Sequence, residues 1–187
     1  MAEIKKINTP LTDEVVADLK AGDMVAVSGV IFTARDAAHK RLLKTLSDGY
    51  KLPFDLQGQI IYYVGPCPAK PPRVFGSCGP TTSVRMDAYA PTLLDQGLKG
   101  MIGKGQRTQP VIDAMIKNKA VYFAAIGGAA ATISKSVIKA EIMAYEDLGP
   151  EAIYKLEVED FPAIVVIDSE GMNQYKIGPE GYKKQLT

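Results

Sequence analysis

Residues 24–46, MVAVSGVIFTARDAAHKRLLKTL, change from one structural pattern to another within a single stretch. The first nine residues are rich in β-branched and small apolar side chains, which is typical of a mostly buried strand. Over 36–46 the apolar residues Ala38, Leu42 and Leu46 recur every four positions, which predicts an apolar stripe along a helix. A strand followed directly by a helix indicates an α/β fold.

The rest of the chain continues this alternation in both directions. The run AVYFAAI at 120–126 is apolar throughout, as expected of a strand covered on both faces. Strands alternating with helices predict one α/β domain over 1–187 with a largely parallel or mixed sheet, and the polar segment 172–187 is expected to be a loosely held tail. We further predict helices at 12–19, 82–96 (kinked or split by Pro91), 109–118 and 129–137, and strands at 59–64, 73–75, 100–103, 139–145, 153–158 and 163–168, with 139–145 and 153–158 near the sheet edge.

The charge and the apolar runs of the chain bear on which classes of function are expected. A formal net charge of +1 does not indicate a general affinity for nucleic acid or membranes, so an anion site is expected to be a local cluster of cations. No apolar run has the length of a membrane span and no signal-peptide pattern begins the chain, which predicts a cytoplasmic location.

The two cysteines, Cys67 and Cys78, are too few to hold an iron–sulfur cluster or a structural zinc alone. We interpret them as two free and partly buried thiols, with a disulfide as the alternative.

The nonapeptide GPTTSVRMD at 79–87 predicts a loop that turns into a helix. Its hydroxyl residues are typical helix N-caps, and Thr81 and Arg85 are spaced to share one face of the first turns. A helix N-terminus favours an anion, and an arginine adds donors that match a carboxylate or phosphate. The segment therefore indicates an anion site with a hydroxyl beside it. The alternative is a capped helix with a surface arginine.

Two more strand-to-loop junctions carry candidate residues. One is Arg35-Asp36-Ala37-Ala38-His39 and the other is Lys104 between two glycines. Because ligands of open α/β sheets bind beyond the carboxyl ends of strands, Arg35 and Lys104 are expected to converge with Arg85 on a small dianion. For Arg35 and Asp36 the alternative is a local ion pair, for Lys104 a plain turn, and for His39 a structurally bonded ring rather than a proton carrier.

Taken together, five segments resemble the iron–sulfur-dependent hydro-lyases. The match is to the C-terminal domain of class I fumarase, which in two-subunit forms is a separate β subunit, and the β subunit of tartrate dehydratase is a near relative. This resemblance implies a swivelling β/β/α domain with a central mixed sheet flanked by helices. It also implies a partner α subunit that carries a [4Fe–4S] cluster on three cysteines, with no metal bound by this chain. The matching segments are TARDAAHKRLL (33–43), GPTTSVRMD (79–87), MIGKG (101–105), AIGGAAA (125–131) and EAIYKLEVEDFPAIVVID (151–168).

The reaction implied by the resemblance is the reversible hydration of fumarate to L-malate. An open iron of the partner would act as a Lewis acid on the substrate hydroxyl. Arg35, Arg85 and Lys104 would bind the carboxylates of the C4 dicarboxylate and stabilise the aci-carboxylate that forms on proton removal. The acid that protonates the leaving hydroxyl would come from the partner subunit.

The resemblance leaves the identity of the base open. Thr81 matches the threonine proposed to take the C3 proton, but an ordinary alcohol is a poor base, so its hydroxyl would need strong perturbation by a neighbour such as Lys104. His39 is the conventional candidate base, although its place one turn beyond Arg35 also suits a supporting role. Asp36 is expected to orient Arg35 or His39.

Two alternative functions remain at this stage. Tartrate dehydratase is the first, although Ala37 and Ala38 between Asp36 and His39 favour the fumarase form. The second is a dicarboxylate- or phosphate-binding module without chemistry. A domain of this kind, freed from its partner, is also expected to form homodimers through its exposed face.

Overall fold

The computed structural model describes residues 3–125 and 130–185, including side chains except those of 131, 132 and 180–185. The described part of the chain has seven strands and six helices, which alternate except that the sixth and seventh strands are joined by a 3₁₀ turn alone. Their bounds are β1 Ile4–Asn8, α1 Asp13–Asp18, β2 Met24–Thr33, α2 Asp36–Ser47, β3 Ile60–Tyr62, α3 Ala90–Asp95, β4 Gly100–Gly103, α4 Gln109–Asn118, β5 Val121–Ala124, α5 Ala130–Ile133, β6 Val137–Ala144, β7 Ile153–Ile167 and α6 Gln174–Gln185, with 3₁₀ turns at Ser83–Met86, Ser134–Ser136 and Glu146–Glu151.

The strands form one mixed sheet in the order β1-β2-β3-β4-β5-β7-β6. Neighbours from β1 to β5 run parallel, whereas β7 runs antiparallel to β2, β5 and β6. Because β7 pairs with β2 as well as with β5, the strands β2, β3, β4, β5 and β7 close into a small barrel. The predicted central mixed sheet flanked by helices is confirmed, and the closure is an additional feature of the fold.

Closure gives the sheet an inner and an outer apolar face. Successive residues of a strand point to opposite faces, so Ile60 and Tyr62 pack inside the barrel, while Ile61 and Tyr63 pack outside against the helices. All four are fully buried. The outer layer is completed by apolar side chains of α2, α3 and α4, among them Leu42 of the stripe predicted on α2. This two-sided burial explains why the strands read as continuous apolar runs.

The largest correction concerns β7. Two separate strands, 153–158 and 163–168, were expected, but the structure has one strand of fifteen residues. The polar residues before Pro162 break the apolar pattern, yet Pro162 still lies opposite Ala26, and Asp160 takes a positive φ of 46° next to a register shift in the β2 pairing. The first half of β7 is also not at the sheet edge, because β2 and β6 flank it on either side.

Other differences are local. The segment 73–75 is not a strand and stays within the loop after β3, and the predicted strand 59–64 is shorter. The predicted helix 82–96 is split, as Pro91 suggested, and Pro91 lies in the first turn of α3. The helix predicted at 129–137 ends at Ile133, and a 3₁₀ turn then leads into β6. Residues 126–129, including the Gly127-Gly128 pair, lie outside the described residues. The polar segment after Gly171 contains α6; a loose attachment of that segment stays a prediction.

Candidate active site

The three strand-to-loop junctions lie at one edge of the barrel. The register sets Thr33 beside Tyr62 and Tyr62 beside Ile102, so β2, β3 and β4 end at the same level. Arg35 follows the end of β2, and Lys104 follows the end of β4 directly. The structure therefore brings together the cations that the sequence placed at separate junctions.

The segment that carries Thr81 is inserted between the ends of β3 and β4 as an extended chain. The Thr81 N–H donates to Tyr63 O over 2.7 Å, and the Lys104 N–H donates to Thr81 O over 3.3 Å. The Ser83 N–H in turn donates to Lys104 O over 2.9 Å, and Thr82 pairs with Lys104 as a parallel bridge. These backbone hydrogen bonds hold Thr81 next to Lys104.

Glycine is required where these two segments touch. A Cβ atom added to Gly103 would lie 1.9 Å from Ser83 Oγ, a contact that no side chain tolerates. The Ser83 hydroxyl is itself within 2.9 Å of the Tyr122 hydroxyl. Gly103 thus allows the Thr81 segment to approach β4 closely.

The helix N-terminus expected at 79–87 is not present. Residues Ser83–Met86 form a single 3₁₀ turn, and Thr82, at its N-cap position, makes no capping hydrogen bond through its side chain. Thr81 lies before the turn in extended chain, so it does not share a helix face with Arg85. A four-residue turn has almost no dipole, and any anion must be held here by side chains instead.

Two ion pairs link the arginines to neighbouring segments. Arg35 does not pair with Asp36 as one alternative held; its Nη2 donates to Glu151 Oε1 over 2.7 Å, and Glu151 Oε2 accepts from the Ala37 N–H over 2.8 Å. Burial alone would raise the pKa of Glu151, but the hydrogen bonds from Arg35 and Ala37 outweigh it and hold that pKa below its ordinary value. Glu151 therefore stays charged and fixes the Arg35 fork.

Asp36 instead pairs with Arg85. The Arg85 Nε donates to Asp36 Oδ1 over 3.0 Å, and Arg85 Nη2 lies 2.8 Å from Oδ2. This two-point contact joins the 3₁₀ turn to the start of α2. The Arg85 side chain is half-exposed, at 52%, and only one edge of its guanidinium faces Asp36. The other N–H donors of the fork remain available to a ligand.

The Lys104 loop is fixed from behind while its side chain is exposed. The Gly105 N–H donates to the Tyr175 hydroxyl over 3.1 Å, and the Tyr122 hydroxyl donates to Gly105 O over 2.9 Å. Within residues 3–125 and 130–185, the Lys104 ammonium has no hydrogen bond or ion pair. Its backbone is therefore ordered, and its charge is open to an anion.

His39 lies behind this edge and is fully buried. Its Nδ1 is 3.0 Å from Arg35 O, and because a carbonyl only accepts, Nδ1 carries the proton and Nε2 is unprotonated. The ring packs edge-on against Tyr63, and among the residues that the structure describes Nε2 has no hydrogen-bond partner. Burial lowers the pKa of His39 to about 4, against a smaller opposing effect of the Arg35 carbonyl. The structure does not bring His39 to the exposed edge, and this neutral, buried ring is placed to support Arg35.

The buried His39 predicts acid sensitivity. Above about pH 6.5 the imidazole is neutral in folded and unfolded chains alike, but between 6.5 and 4 the unfolded chain binds a proton that the folded chain rejects. The free energy of unfolding should therefore fall by up to about 3 kcal/mol over this range from His39 alone. Denaturant titrations of wild type and His39→Asn at pH 7 and pH 4.5 measure this, and the variant should show the smaller drop. Equal drops in the two proteins would contradict it.

A buried ion pair that the sequence did not predict lies beneath the site. Arg107, whose side chain is 0% exposed, donates from Nε to Asp87 Oδ1 over 2.7 Å, and the Thr108 N–H donates to Asp87 Oδ2 over 2.6 Å. The guanidinium also lies over the rings of Tyr63 and Tyr122. The pair ties the end of 79–87 to the chain just after Lys104. The only sequence signals were an aspartate ending the nonapeptide and an arginine three residues beyond Lys104.

The cysteines do not fit a metal cluster. Cys67 and Cys78 are free, as predicted, but the partial burial expected of both is wrong for Cys67, which is exposed, while Cys78 is buried. Burial raises the pKa of the Cys78 thiol to about 12, so it stays protonated. An iron–sulfur cluster needs more thiolates than this chain has. In the described part of the chain, no group of three or more His, Cys, Asp or Glu residues is arranged to hold a metal ion. None of the described helices is both long and apolar enough to cross a membrane.

Comparison with known proteins identifies the family. Residues 2–178 match the family model described as the fumarase C-terminus. The chain belongs to this family. The predicted resemblance to class I fumarase and to the tartrate dehydratase β subunit is therefore confirmed.

Three relatives show how the domain occurs in other proteins. The chain is 39% identical over 170 residues to the aerobic class I fumarate hydratase of Escherichia coli and 41% identical over 172 residues to the anaerobic enzyme, in each case over 88% of this chain and 31% of the relative. It is 38% identical over 181 residues, 93% of each chain, to a Methanocaldococcus jannaschii protein named "Putative L(+)-tartrate dehydratase subunit beta". The chain thus spans about a third of the fumarate hydratases and nearly all of the subunit.

Proposed function

We propose that this chain is the β subunit of a cytoplasmic iron–sulfur hydro-lyase that reversibly hydrates fumarate to L-malate. One observation carries the proposal: Thr81 and Lys104 are held side by side, with Arg35 and Arg85 at the same edge of the barrel. Arg85 and Lys104 are exposed and Arg35 is partly buried, so three cations lie at the edge that carries Thr81. This arrangement suits a small dicarboxylate from which a proton is removed.

In this proposal each of the three cations binds a carboxylate group of the substrate. The free ammonium of Lys104 and the unused donors of Arg85 bind carboxylate oxygens, each charge-assisted hydrogen bond contributing roughly 1.5–3 kcal/mol when shielded from water. Arg35 is held by Glu151 and presents its remaining N–H groups in a fixed direction. Removal of the C3 proton places negative charge on a carboxylate, and these donors stabilise that charge more than they stabilise the ground state.

Thr81 is the proposed base, and His39 the alternative. The backbone of Thr81 is hydrogen-bonded to that of Lys104. In this proposal the Lys104 ammonium approaches the Thr81 hydroxyl in the assembled site and supplies the perturbation that an alcohol needs to accept a proton. His39 is chemically the better base, but it is buried, and its Nδ1 proton is engaged by Arg35 O. We assign His39 and Asp36 as positioning residues: His39 holds the backbone at Arg35, and Asp36 holds the Arg85 side chain.

The cluster belongs to the α subunit in this proposal. The two cysteines of this chain do not fit a [4Fe–4S] cluster, and the exposed edge has cations but no thiolate. The active site would form where this edge meets the cluster-bearing subunit, so the chain alone is expected to be inactive.

Reconstitution tests the proposal directly. The chain is co-expressed anaerobically with an α subunit that carries three cluster cysteines, and the purified complex is assayed with fumarate and malate. Activity in the complex but in neither subunit alone is the expected result. Absence of hydratase activity on any C4 dicarboxylate by a complex shown to contain cluster would refute it, and malate binding by the isolated chain would then favour a binding module.

Tartrate dehydratase is a second candidate because the M. jannaschii relative matches this chain along 93% of both lengths. The match shows the same size of subunit but not the substrate. Comparing kcat/KM for malate and L(+)-tartrate in the reconstituted complex decides between them, and a higher value for tartrate would select the second candidate.

A further inference from the structure

Strand β6 forms a free edge of the sheet. Within the described residues it pairs with β7 only, so the backbone N–H and C=O groups on its other side are unpaired. The strand has eight residues and no proline. Such an edge is a template for another strand.

The side chains of β6 are exposed and mixed in character. The apolar residues Ile138 and Ile142 are 48% and 45% exposed. Lys139 and Glu141 lie on one face, with Lys139 Nζ 3.5 Å from Glu141 Oε2. Lys155 of β7 is on the same face, 3.3 Å from Glu141 Oε1. The edge thus offers one positive and one negative residue, two positions apart.

Two-fold symmetry limits how this strand can pair with itself. In an antiparallel pair of strands related by a two-fold axis, the numbers of any two opposed residues add up to the same sum. Opposed side chains must lie on the same face of the sheet, so this sum is even. Centring the pair on 139 opposes two Lys139 residues, and centring it on 141 opposes two Glu141 residues, both repulsive. Centring it on Ala140 opposes Lys139 of each copy to Glu141 of the other.

The same register keeps the contact within the regular part of β6. The pairing of β6 with β7 shifts register between Val137 and Lys139 and between Ile142 and Ala144, and centring on Ala140 places Lys139, Ala140 and Glu141 of both copies in the regular stretch. Registers shifted further in either direction give up the pairing of opposite charges. We propose that two copies of this chain dimerise through β6, antiparallel and centred on Ala140, so that their sheets continue across the interface.

A charge-swap cycle tests this register. Lys139→Glu opposes glutamate to glutamate in the dimer, and Glu141→Lys opposes lysine to lysine, so each variant should raise the dimer dissociation constant at least about tenfold. The double variant Lys139→Glu/Glu141→Lys restores opposite charges and should recover the dimer. Mixing the two single variants should give a heterodimer, because position 139 of each copy then faces the opposite charge at position 141 of the other. Sedimentation velocity on the full chain measures each case, and Lys51→Glu is the control for a charge change elsewhere on the surface.

Each outcome bears on the proposal. A dimer that weakens in both single variants and returns in the double variant and in the mixture supports it. A wild-type chain that stays monomeric well above micromolar concentration overturns it. A dimer whose dissociation constant is unchanged in both single variants also overturns the proposal, since the interface then lies elsewhere. The proposal is likewise overturned if both single variants weaken binding of the α subunit and leave self-association unchanged.

Discussion

Replacing Arg85 by alanine lowers kcat/KM for malate about 10²- to 10³-fold in the reconstituted complex, with the loss mainly in kcat. Arg85 keeps free N–H donors while one edge of its guanidinium is held by Asp36. Those donors are placed to meet charge that develops on the substrate, so their loss raises the transition state more than the bound substrate. Arg85→Lys should recover only part of the activity, because an ammonium keeps the charge but cannot hold Asp36 and a carboxylate in one plane.

Arg41 supplies the matched control. It too makes a two-point ion pair, with Nη1 and Nη2 donating to Asp147 over 2.7 and 2.8 Å, and it lies on α2 away from the Thr81 segment. Arg41→Ala removes the same side chain and should leave kcat/KM within about threefold of wild type, as expected for a surface pair. If Arg85→Ala and Thr81→Ala both retained near wild-type activity, the site assignment would be wrong.

The fold was predictable wherever one periodicity dominated. The end of α2 was predicted to within one residue by the apolar stripe of Ala38, Leu42 and Leu46. Strand β5 was predicted by the apolar run at 120–126. The barrel closure was not predictable, because it depends on β7 pairing with β2 and β5 at once. That contact joins residues far apart in sequence and leaves no local pattern.

The candidate site divides in the same way. The residue types of Arg35, Arg85 and Lys104 and their positions after strand ends were enough to predict that they lie at one edge, since parallel strands bring their carboxyl ends to the same edge of a sheet. Their partners were not accessible to such reasoning. Glu151 reaches Arg35 from a distant turn, and the sequence offered Asp36 as the nearer choice. The catalytic roles of Thr81 and His39 stay predictions.

The buried pair beneath the site should dominate the stability of this edge. Asp87→Ala is expected to lower the free energy of unfolding by about 3–5 kcal/mol, because it leaves the Arg107 charge unpaired in a fully buried position. The Thr108 N–H loses its acceptor as well. Urea denaturation at neutral pH measures the change. Arg107→Met in the same background removes the stranded charge and should recover part of the loss, whereas simple loss of packing would be deepened by the second substitution.

Asp95 is the control that distinguishes the effect of burying an ion pair from the effect of losing an ion pair. Its carboxylate accepts from Lys117 Nζ over 2.9 Å and from Asn118 Nδ2 over 2.8 Å, a partner set of similar size to that of Asp87, but it lies at the surface. Asp95→Ala should therefore cost less than about 1 kcal/mol, since water replaces the lost partners. Equal losses in Asp87→Ala and Asp95→Ala would show that the Asp87–Arg107 pair does not hold the Thr81 and Lys104 segments together. A larger loss in Asp87→Ala, with reduced kcat in the complex even under conditions where the variant remains folded, would show that the buried pair keeps these two segments in register for the substrate.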